Sequence, residues 1–419
     1  MNTDSAGAVQ TGTFEVNGRS YSLPSRPVVT ICIDGCADEY LTTSIAHGCM
    51  PTVAGMAATG YRGLVRGALP SFTNVNNAAI ATGLPPSETG ISGNFFLDPE
   101  SGEEVMMNSA DYLRTGTVFA AAARAGRKVA VVTAKEKLRD ILSKDLQGIA
   151  FSAEKANEAQ LDSHGIEDVE KLVGAATPEI YSAAASLFVL QAGVALLEHG
   201  LADFLYLSLT DYMQHKFAPH EPESLEFHRG MDREISRLVE AGAIVAATAD
   251  HGMNAKNRAD GTPNVIYLES LLAAEFGEQV CVICPITDPY VVHHGALGSL
   301  VMVHLPDSIS TTDVATWIHQ LDGVTEVHDR RSAADKLQLP ADRIGDLTVL
   351  SARDVVLGRR PADHDLALLQ GGLRSHGGRY EEMVPLLLSH PLNQEYRHKA
   401  QADPRNFDLL DFACNGTSS

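Results

Sequence analysis

The chain has 419 residues, of which 44% are hydrophobic, and a formal net charge of −21 at pH 7. This length exceeds the usual size of a single core, which predicts a main domain with an inserted or appended second unit. The acidic charge argues against nucleic acid or an anionic membrane surface as a partner, because both require clustered lysines and arginines.

Residues 1–25 are expected to form a polar N-terminal arm that includes one short strand. They have neither the basic flank nor the apolar core of a signal peptide, and no apolar run of the chain approaches the length of a membrane span. The six cysteines are too few for a secreted disulfide scaffold. We therefore expect a cytoplasmic protein whose thiols are reduced.

The core catalytic domain is predicted to begin at residue 26, with the apolar run 27–33 as its first strand. Such a run is typical of a strand buried on both faces of a parallel sheet. Asp34 follows it directly, at the end of the strand where ligands of open α/β sheets gather. Taken alone, an aspartate in this position is more often a helix N-cap than a metal ligand.

A candidate nucleophile lies in the polar segment 69–77. Residues 78–83 favour a helix, so Thr73 is expected near a helix N-terminus, where free N–H groups and the helix dipole stabilise an anion. The alternative is that Thr73, or an asparagine beside it, only caps the helix.

Apolar runs alternate with helical patterns such as 115–127 and 183–199, which predicts a mostly parallel sheet with helices on both faces. The run 128–133 is predicted to be one of its strands. Lys135 and Lys137 follow this strand and would lie at the ligand-binding edge of the sheet. The alternative is an ordinary solvated charge run.

Two further apolar runs, 203–209 and 243–249, end in groups that suit a divalent metal. In the first case these are Asp211 and His215, which are four residues apart and would share one face of a helix. In the second case the aspartate and the histidine are adjacent, at positions 250 and 251. Independent N-caps would not bring histidines with them, so the recurrence at three strand ends indicates a metal site.

A smaller α/β cap domain is predicted over residues 263–340, after a polar exit from the core at 255–262. Its expected elements are strands at 279–284, 299–304 and 324–327 and a helix at 311–321. Residues 341–419 are expected to return to the core domain, with 343–350 already part of the main sheet. Late in this part, His376 lies between flexible residues and offers another possible ligand.

Other residues that can bind metals are interpreted as structural. Cys281 and Cys284 have the spacing of half a zinc knuckle, but no second CxxC exists and they lie in an apolar run. His293, His294 and His364 are interpreted as surface or packing histidines.

Taken together, these segments resemble the alkaline phosphatase superfamily over nearly the whole chain. The resemblance is carried by Asp34, the Pro-Ser-Phe-Thr-Asn run around Thr73, the block 81–94, Asp211 with His215, Asp250-His251-Gly252-Met253 and His376-Gly377. The block 81–94 is similar to the nucleotide pyrophosphatase/phosphodiesterase branch, and the order and spacing most resemble the phosphonoacetate hydrolases. The implied fold is α/β, with a mostly parallel central sheet flanked by helices and a smaller α/β cap domain.

The resemblance also implies two zinc ions per subunit. One would be bound by Asp211, His215 and His376, and the other by Asp34, Thr73, Asp250 and His251. Thr73 would be the catalytic nucleophile and would also contact the substrate. Asn94 would donate to a phosphoryl oxygen, and Lys135 and Lys137 would hold a carboxylate of the substrate.

The implied activity is zinc-dependent hydrolysis of the C–P bond of phosphonoacetate, by in-line displacement between two metals. The partner would be a small anionic phosphonate, without nucleic acid or membrane, and a homodimer is a candidate assembly. One alternative is a nucleotide pyrophosphatase/phosphodiesterase or a phosphonate monoesterase, although no aromatic slot for a nucleobase is visible near the motifs. The other is a catalytically silent member, against which the intact ligand set and Thr73 argue.

Overall fold

A seven-stranded central sheet forms the core of this computed structural model, which describes residues 12–288, 294–367, 369 and 372–417. In spatial order its strands are Tyr61–Arg66, Met383–Leu388, Ile244–Thr248, Val28–Cys32, Phe204–Ser208, Val129–Thr133 and Ile149–Ser152. The last five of these run parallel, whereas Met383–Leu388 is antiparallel to both of its neighbours. The sheet is therefore mixed but mostly parallel, as predicted.

The four apolar runs predicted as strands of this sheet are confirmed, each within one or two residues at its ends. Every residue of these four strands is buried. A strand without a solvent-facing side chain must be covered on both faces, which explains its continuous apolar sequence. The helices around the sheet are Asp38–Ala46, Pro51–Thr59, Thr73–Thr82, Val118–Arg124, Glu136–Leu142, Ala183–Glu198, Pro222–Glu240 and Leu409–Asn415.

The strand register brings the predicted site residues to one edge of the sheet. Ser208 pairs with Cys32 on one side and with Thr133 on the other, and Cys32 also pairs with Thr248. These residues stand at the carboxyl ends of four neighbouring parallel strands. The aspartates and lysines that follow them therefore leave the sheet side by side.

A second, four-stranded sheet is antiparallel throughout, in the order Cys281–Ile283, Leu300–His304, Leu347–Ser351 and Val324–Asp329. The helices beside it are Leu268–Phe276, Thr311–Ile318 and Arg330–Leu337. The three strands and the helix predicted in the smaller unit are confirmed, with somewhat different ends for each element.

One prediction about the chain's path is wrong, namely that residues 343–350 rejoin the main sheet. Leu347–Ser351 instead lies between two strands of the smaller sheet. Leu347 and Val349 pack in the same apolar cluster as Val301, because an apolar run does not specify which sheet it joins. The chain returns to the central sheet only at Met383–Leu388.

The prediction of a polar arm is also wrong for the part of residues 1–25 that the structure describes. Gly12–Val16 and Arg19–Leu23 form an antiparallel hairpin. Phe14 and Tyr21 are buried and stack with 5.3 Å between ring centroids, since every second residue of these strands faces the core. The six cysteines are free thiols, as predicted. Among the described residues, no helix is both long and apolar enough to cross a membrane.

Candidate active site

Two groups of buried carboxylates and imidazoles lie next to each other at the carboxyl edge of the central sheet. In each group the ligand atoms lie within 4.8 Å of one another. One group consists of Asp34, Asp250 and His251, and the other of Asp211, His215 and His376. The rings of His251 and His376 stack with 3.5 Å between their centroids, so the two groups are in contact. The structure thus brings together all six carboxylates and imidazoles selected from the sequence.

Each histidine of the two groups is oriented by a backbone carbonyl. The Nδ1 atoms lie close to carbonyl oxygens in three pairs: His215 with Arg374 (2.8 Å), His251 with Gly252 (2.9 Å) and His376 with Ser71 (2.7 Å). A neutral imidazole that donates from Nδ1 has an unprotonated Nε2, which here faces the carboxylates. This arrangement is typical of metal-binding histidines, whose second nitrogen is held by an outer partner.

Asp34 is the clearest sign that the first group is incomplete without a cation. Its side chain is buried; among the described residues its Oδ2 has no hydrogen-bond partner, and its Oδ1 lies 3.3 Å from the Nε2 of His251. Burial and the neighbouring carboxylates of Asp211 and Asp250 raise the pKa of Asp34 well above its usual value. A positive ion would satisfy both oxygens and compensate the crowded negative charge, and this set of oxygen and nitrogen donors fits Zn²⁺.

The second group shows strong electrostatic coupling as well. Burial disfavours the ionised form of Asp211, but Lys135 and His215 outweigh it and hold the pKa of Asp211 well below its usual value. The Lys135 Nζ is 3.3 Å and the His215 Nε2 is 2.9 Å from an Asp211 oxygen. Burial and the proximity of His251 lower the pKa of His376 far below the ordinary histidine value. Such opposed shifts in one cluster are typical of a functional site.

Asn77 orients Asp250 and was missed in the sequence. Its Nδ2 donates to Asp250 Oδ2 at 3.2 Å, while its Oδ1 accepts from the hydroxyls of Tyr206 (2.7 Å) and Ser208 (3.0 Å). Asn77 lies four residues after Thr73 and therefore on the same face of the helix. That spacing is the one signal that could have identified it.

Thr73 is the first residue of the helix Thr73–Thr82, as predicted, and its Oγ1 lies 3.4 Å from the Nε2 of His251. Asn94 lies beside it, because the Asn94 Oδ1 accepts from the backbone N–H of Asn74 at 3.1 Å. This bond fixes the amide group and does not use its Nδ2 donors. The candidate nucleophile and the candidate phosphoryl-binding residue thus flank the first group.

Lys135 is buried and the side chain of Lys137 is only 16% exposed, which excludes the alternative of a solvated charge run. The ammonium of Lys137 pairs with Asp288. Burial and the neighbouring Lys135 lower the pKa of Lys137 to about 7, and a carboxylate beside it favours its charged form. A cavity of about 410 Å³ opens beside the two lysines. Its other lining residues are Glu136, Glu154, Lys155, Ile180, Tyr181 and Asp288.

The aromatic wall of this cavity was not visible in the sequence. Tyr181 lines it, and the ring of Tyr212 lies 6.2 Å from that of Tyr181. The chain pattern around Tyr181 has no strong periodicity, so nothing local links it to the strand ends.

The structure also describes the histidines and cysteines that were interpreted as structural, with the exception of His293. His294 is buried with its ring centroid 5.2 Å from that of His215, so it is a packing residue at the site rather than a surface residue. His364 is a packing histidine as predicted, held by backbone groups on both ring nitrogens. His293 lies outside the described residues, and Cys281 is at the smaller sheet, in neither ligand group.

Comparisons with known proteins show the family and the fold of the chain. The model of the type I phosphodiesterase / nucleotide pyrophosphatase family matches residues 28–378. The phosphonoacetate hydrolase from Sinorhizobium meliloti 1021, in complex with phosphonoformate, is 43% identical with a TM-score of 0.92 over 98% of this chain and 100% of that chain. Its complex with phosphonoacetate is matched at 42% identity and the same TM-score and coverage. Murine ectonucleotide pyrophosphatase / phosphodiesterase 5 shares the fold, with 16% identity and a TM-score of 0.62 over 94% of this chain and 96% of that chain.

Proposed function

The chain belongs to the type I phosphodiesterase / nucleotide pyrophosphatase family, and we propose that it hydrolyses the C–P bond of phosphonoacetate to acetate and phosphate. The observation that carries this proposal is the pair of lysines beside the two ligand groups, of which Lys135 is buried and Lys137 is largely enclosed. Phosphonoacetate has a carboxylate that simple phosphate esters lack, and ammonium groups held away from bulk water suit it. The similar enzyme from Sinorhizobium meliloti 1021 was crystallised with phosphonoacetate.

We further propose that the site holds two zinc ions. The ligands would be Asp211, His215 and His376 for one ion, and Asp34, Thr73, Asp250 and His251 for the other. The support is the unsatisfied carboxylate of Asp34 and the common orientation of the three Nε2 atoms. When bound, the ions supply positive charge that favours an ionised threonine hydroxyl and binds phosphoryl oxygens.

Thr73 would act as the nucleophile. Its Oγ1 attacks phosphorus, and the position at a helix N-terminus favours the negative charge on this oxygen. The Nδ2 of Asn94 would donate to a phosphoryl oxygen. As the bond from Oγ1 to phosphorus forms, the C–P bond breaks and its electron pair stays on the methylene carbon of the leaving acetate.

The two lysines would stabilise the leaving group. The atom that leaves phosphorus is a carbon, which is less electronegative than the oxygen of an ester. Its negative charge is therefore delocalised into the carboxylate as an enolate-like dianion. Lys135 and Lys137 would hold that carboxylate. Their electrostatic stabilisation would be strongest in the transition state, where the negative charge develops. The carbanion takes up a proton to give acetate. Water then attacks phosphorus in the phosphothreonine, which releases phosphate and restores the Thr73 hydroxyl.

A nucleotide phosphodiesterase or phosphonate monoesterase is the second candidate, favoured by one observation. The cavity beside the lysines has a volume of about 410 Å³ and Tyr181 in its wall, so it has room and a ring face for a larger leaving group.

The test compares three substrates side by side, with phosphate release measured from phosphonoacetate and a simple phosphate monoester and nitrophenol release measured from a nitrophenyl nucleotide ester. The proposal expects kcat/KM to be highest for phosphonoacetate by orders of magnitude. Equal or better hydrolysis of the nucleotide ester would favour the second candidate. The division into core and cap domains, the cytoplasmic location and a homodimer remain predictions from the sequence.

A further inference from the structure

A fully buried ion pair lies outside the two ligand groups but next to the segments that carry them. Lys256 and Glu381 have no exposed side-chain surface, and Lys256 Nζ is 2.9 Å from Glu381 Oε1. The same ammonium donates to the carbonyl of Arg353 at 2.7 Å. Burying two charges is costly unless hydrogen bonds complete both groups, so a pair of this kind calls for an explanation beyond stability.

Glu381 joins two segments through four hydrogen-bonded contacts. Its Oε1 accepts from Asn254 Nδ2 at 2.6 Å as well as from Lys256, and its backbone oxygen accepts from the N–H of Gly252 at 2.7 Å. Its Oε2 accepts from the N–H of Gly378 at 3.0 Å. One glutamate therefore contacts both the chain that follows the first ligand group and the chain that follows the second.

We propose that Lys256 and Glu381 are positioning residues that clamp the segment after His251 to the segment after His376. Gly252 is the next residue after the first histidine, and Gly378 lies two residues after the second. The clamp would set the separation of the two ligand groups, and this inference rests on the proposed two-metal site.

The neighbouring backbone explains why such a clamp is needed. The ladder between the two segments has only two pairs, Asn254 with Ser375 and Ala255 with Arg374. Side chains in a catalytic site must be held within fractions of an ångström by the groups around them, which so short a ladder does not achieve alone. Gly378 also receives a hydrogen bond on its carbonyl from the Ser71 hydroxyl at 3.0 Å, so the clamp extends to the segment that precedes Thr73.

The experiment compares zinc binding by three variants, Glu381→Gln, Lys256→Met and the double variant, with that of the wild type. Asp203→Asn is the matched control, because it breaks an ion pair of 2.8 Å with the buried Arg127 at the opposite end of the strand Phe204–Ser208. Metal-free protein is titrated with zinc by calorimetry, and melting temperature, kcat and KM are measured on the same samples.

We expect the wild type and the control to bind two zinc ions with equal affinity. In Glu381→Gln the affinity of at least one site should fall about 10- to 100-fold, the usual effect of losing an outer partner of metal ligands. In the same variant kcat should fall by a larger factor than KM changes, because Lys135 and Lys137, which would bind the substrate carboxylate, are unchanged. The double variant contains no unpaired buried charge, so it should melt at a higher temperature than Lys256→Met without recovering zinc affinity.

Two results would overturn the clamp while the wild type still binds two ions. The first is an unchanged zinc affinity in all three variants. The second is a double variant in which zinc affinity and melting temperature both recover toward the wild-type values, as a purely structural role requires. A wild-type protein that binds fewer than two ions would instead overturn the proposed two-metal function, and the inference with it.

Discussion

Replacing Lys137 with methionine tests the proposed substrate most directly. Methionine keeps much of the apolar stem but removes the ammonium, which is largely enclosed and paired with Asp288. Unlike Lys135, Lys137 has no contact with a predicted metal ligand among the ion pairs of the described residues. Its loss should therefore act on the leaving group rather than on the metals.

The magnitude follows from the charge pair that Lys137, only 16% exposed, would form with the substrate carboxylate. Removing one partner of a buried, hydrogen-bonded charge pair costs about 2–5 kcal/mol, and about 1.4 kcal/mol corresponds to a tenfold change in rate. kcat/KM for phosphonoacetate should thus fall about 30- to 5,000-fold. Nitrophenyl phosphonates have a good leaving group and no such carboxylate, so their hydrolysis should change little.

The assay compares both substrates in Lys137→Met and in two controls. Lys155→Met removes a lysine of the same cavity that is 46% exposed and 3.5 Å from Glu158, and it should have almost no effect. Lys137→Met combined with Asp288→Asn also removes the negative charge that faced the ammonium, and should regain stability but not activity. Equal losses on both substrates would refute the reasoning, because the lysine would then act on the phosphoryl group or on folding.

Four further outcomes are expected. Thr73→Ala should raise the barrier by several kcal/mol, about a thousandfold or more in kcat, while Thr73→Ser keeps more activity; turnover by the alanine variant at the wild-type rate would disprove its role as nucleophile. Exhaustive chelation should abolish turnover and zinc should restore it, so activity in a verified metal-free sample would rule out the two-metal site. Asn77→Ala removes a hydrogen bond to Asp250 and should weaken zinc binding about 10- to 100-fold in a calorimetric titration, whereas unchanged affinity would contradict its orienting role. Asp288→Asn removes the carboxylate that favours the Lys137 ammonium, whose pKa burial and Lys135 lower to about 7, so the alkaline limb of kcat/KM for phosphonoacetate should move to lower pH; a shift to higher pH would show that the sign is wrong.

Local sequence determined the parts of this protein that depend on local chemistry. A strand buried on both faces must be apolar throughout, so the four runs that carry Asp34, Lys135, Asp211 and Asp250 at their ends could be predicted from composition. Parallel strands deliver their carboxyl ends to one edge, and this rule was sufficient to place these residues together. The helix that begins at Thr73 was predictable for the same kind of reason, since its helix-favouring residues are contiguous.

The tertiary structure decided what depends on partners far away in the chain. The apolar run Leu347–Ser351 fits either sheet, and only the packing of its side chains against Val301 and its neighbours assigns it to the smaller one. The sequence favoured no single environment for the two lysines, and only the packing around them makes Lys135 buried and Lys137 largely enclosed. The carbonyls that orient the histidines and the pair of Lys256 with Glu381 leave no pattern in the sequence. Asn77 has the right helical spacing from Thr73, but that spacing does not reveal its bond to Asp250. A hydrogen bond across 125 residues depends on the path of the backbone between them, which no local spacing records.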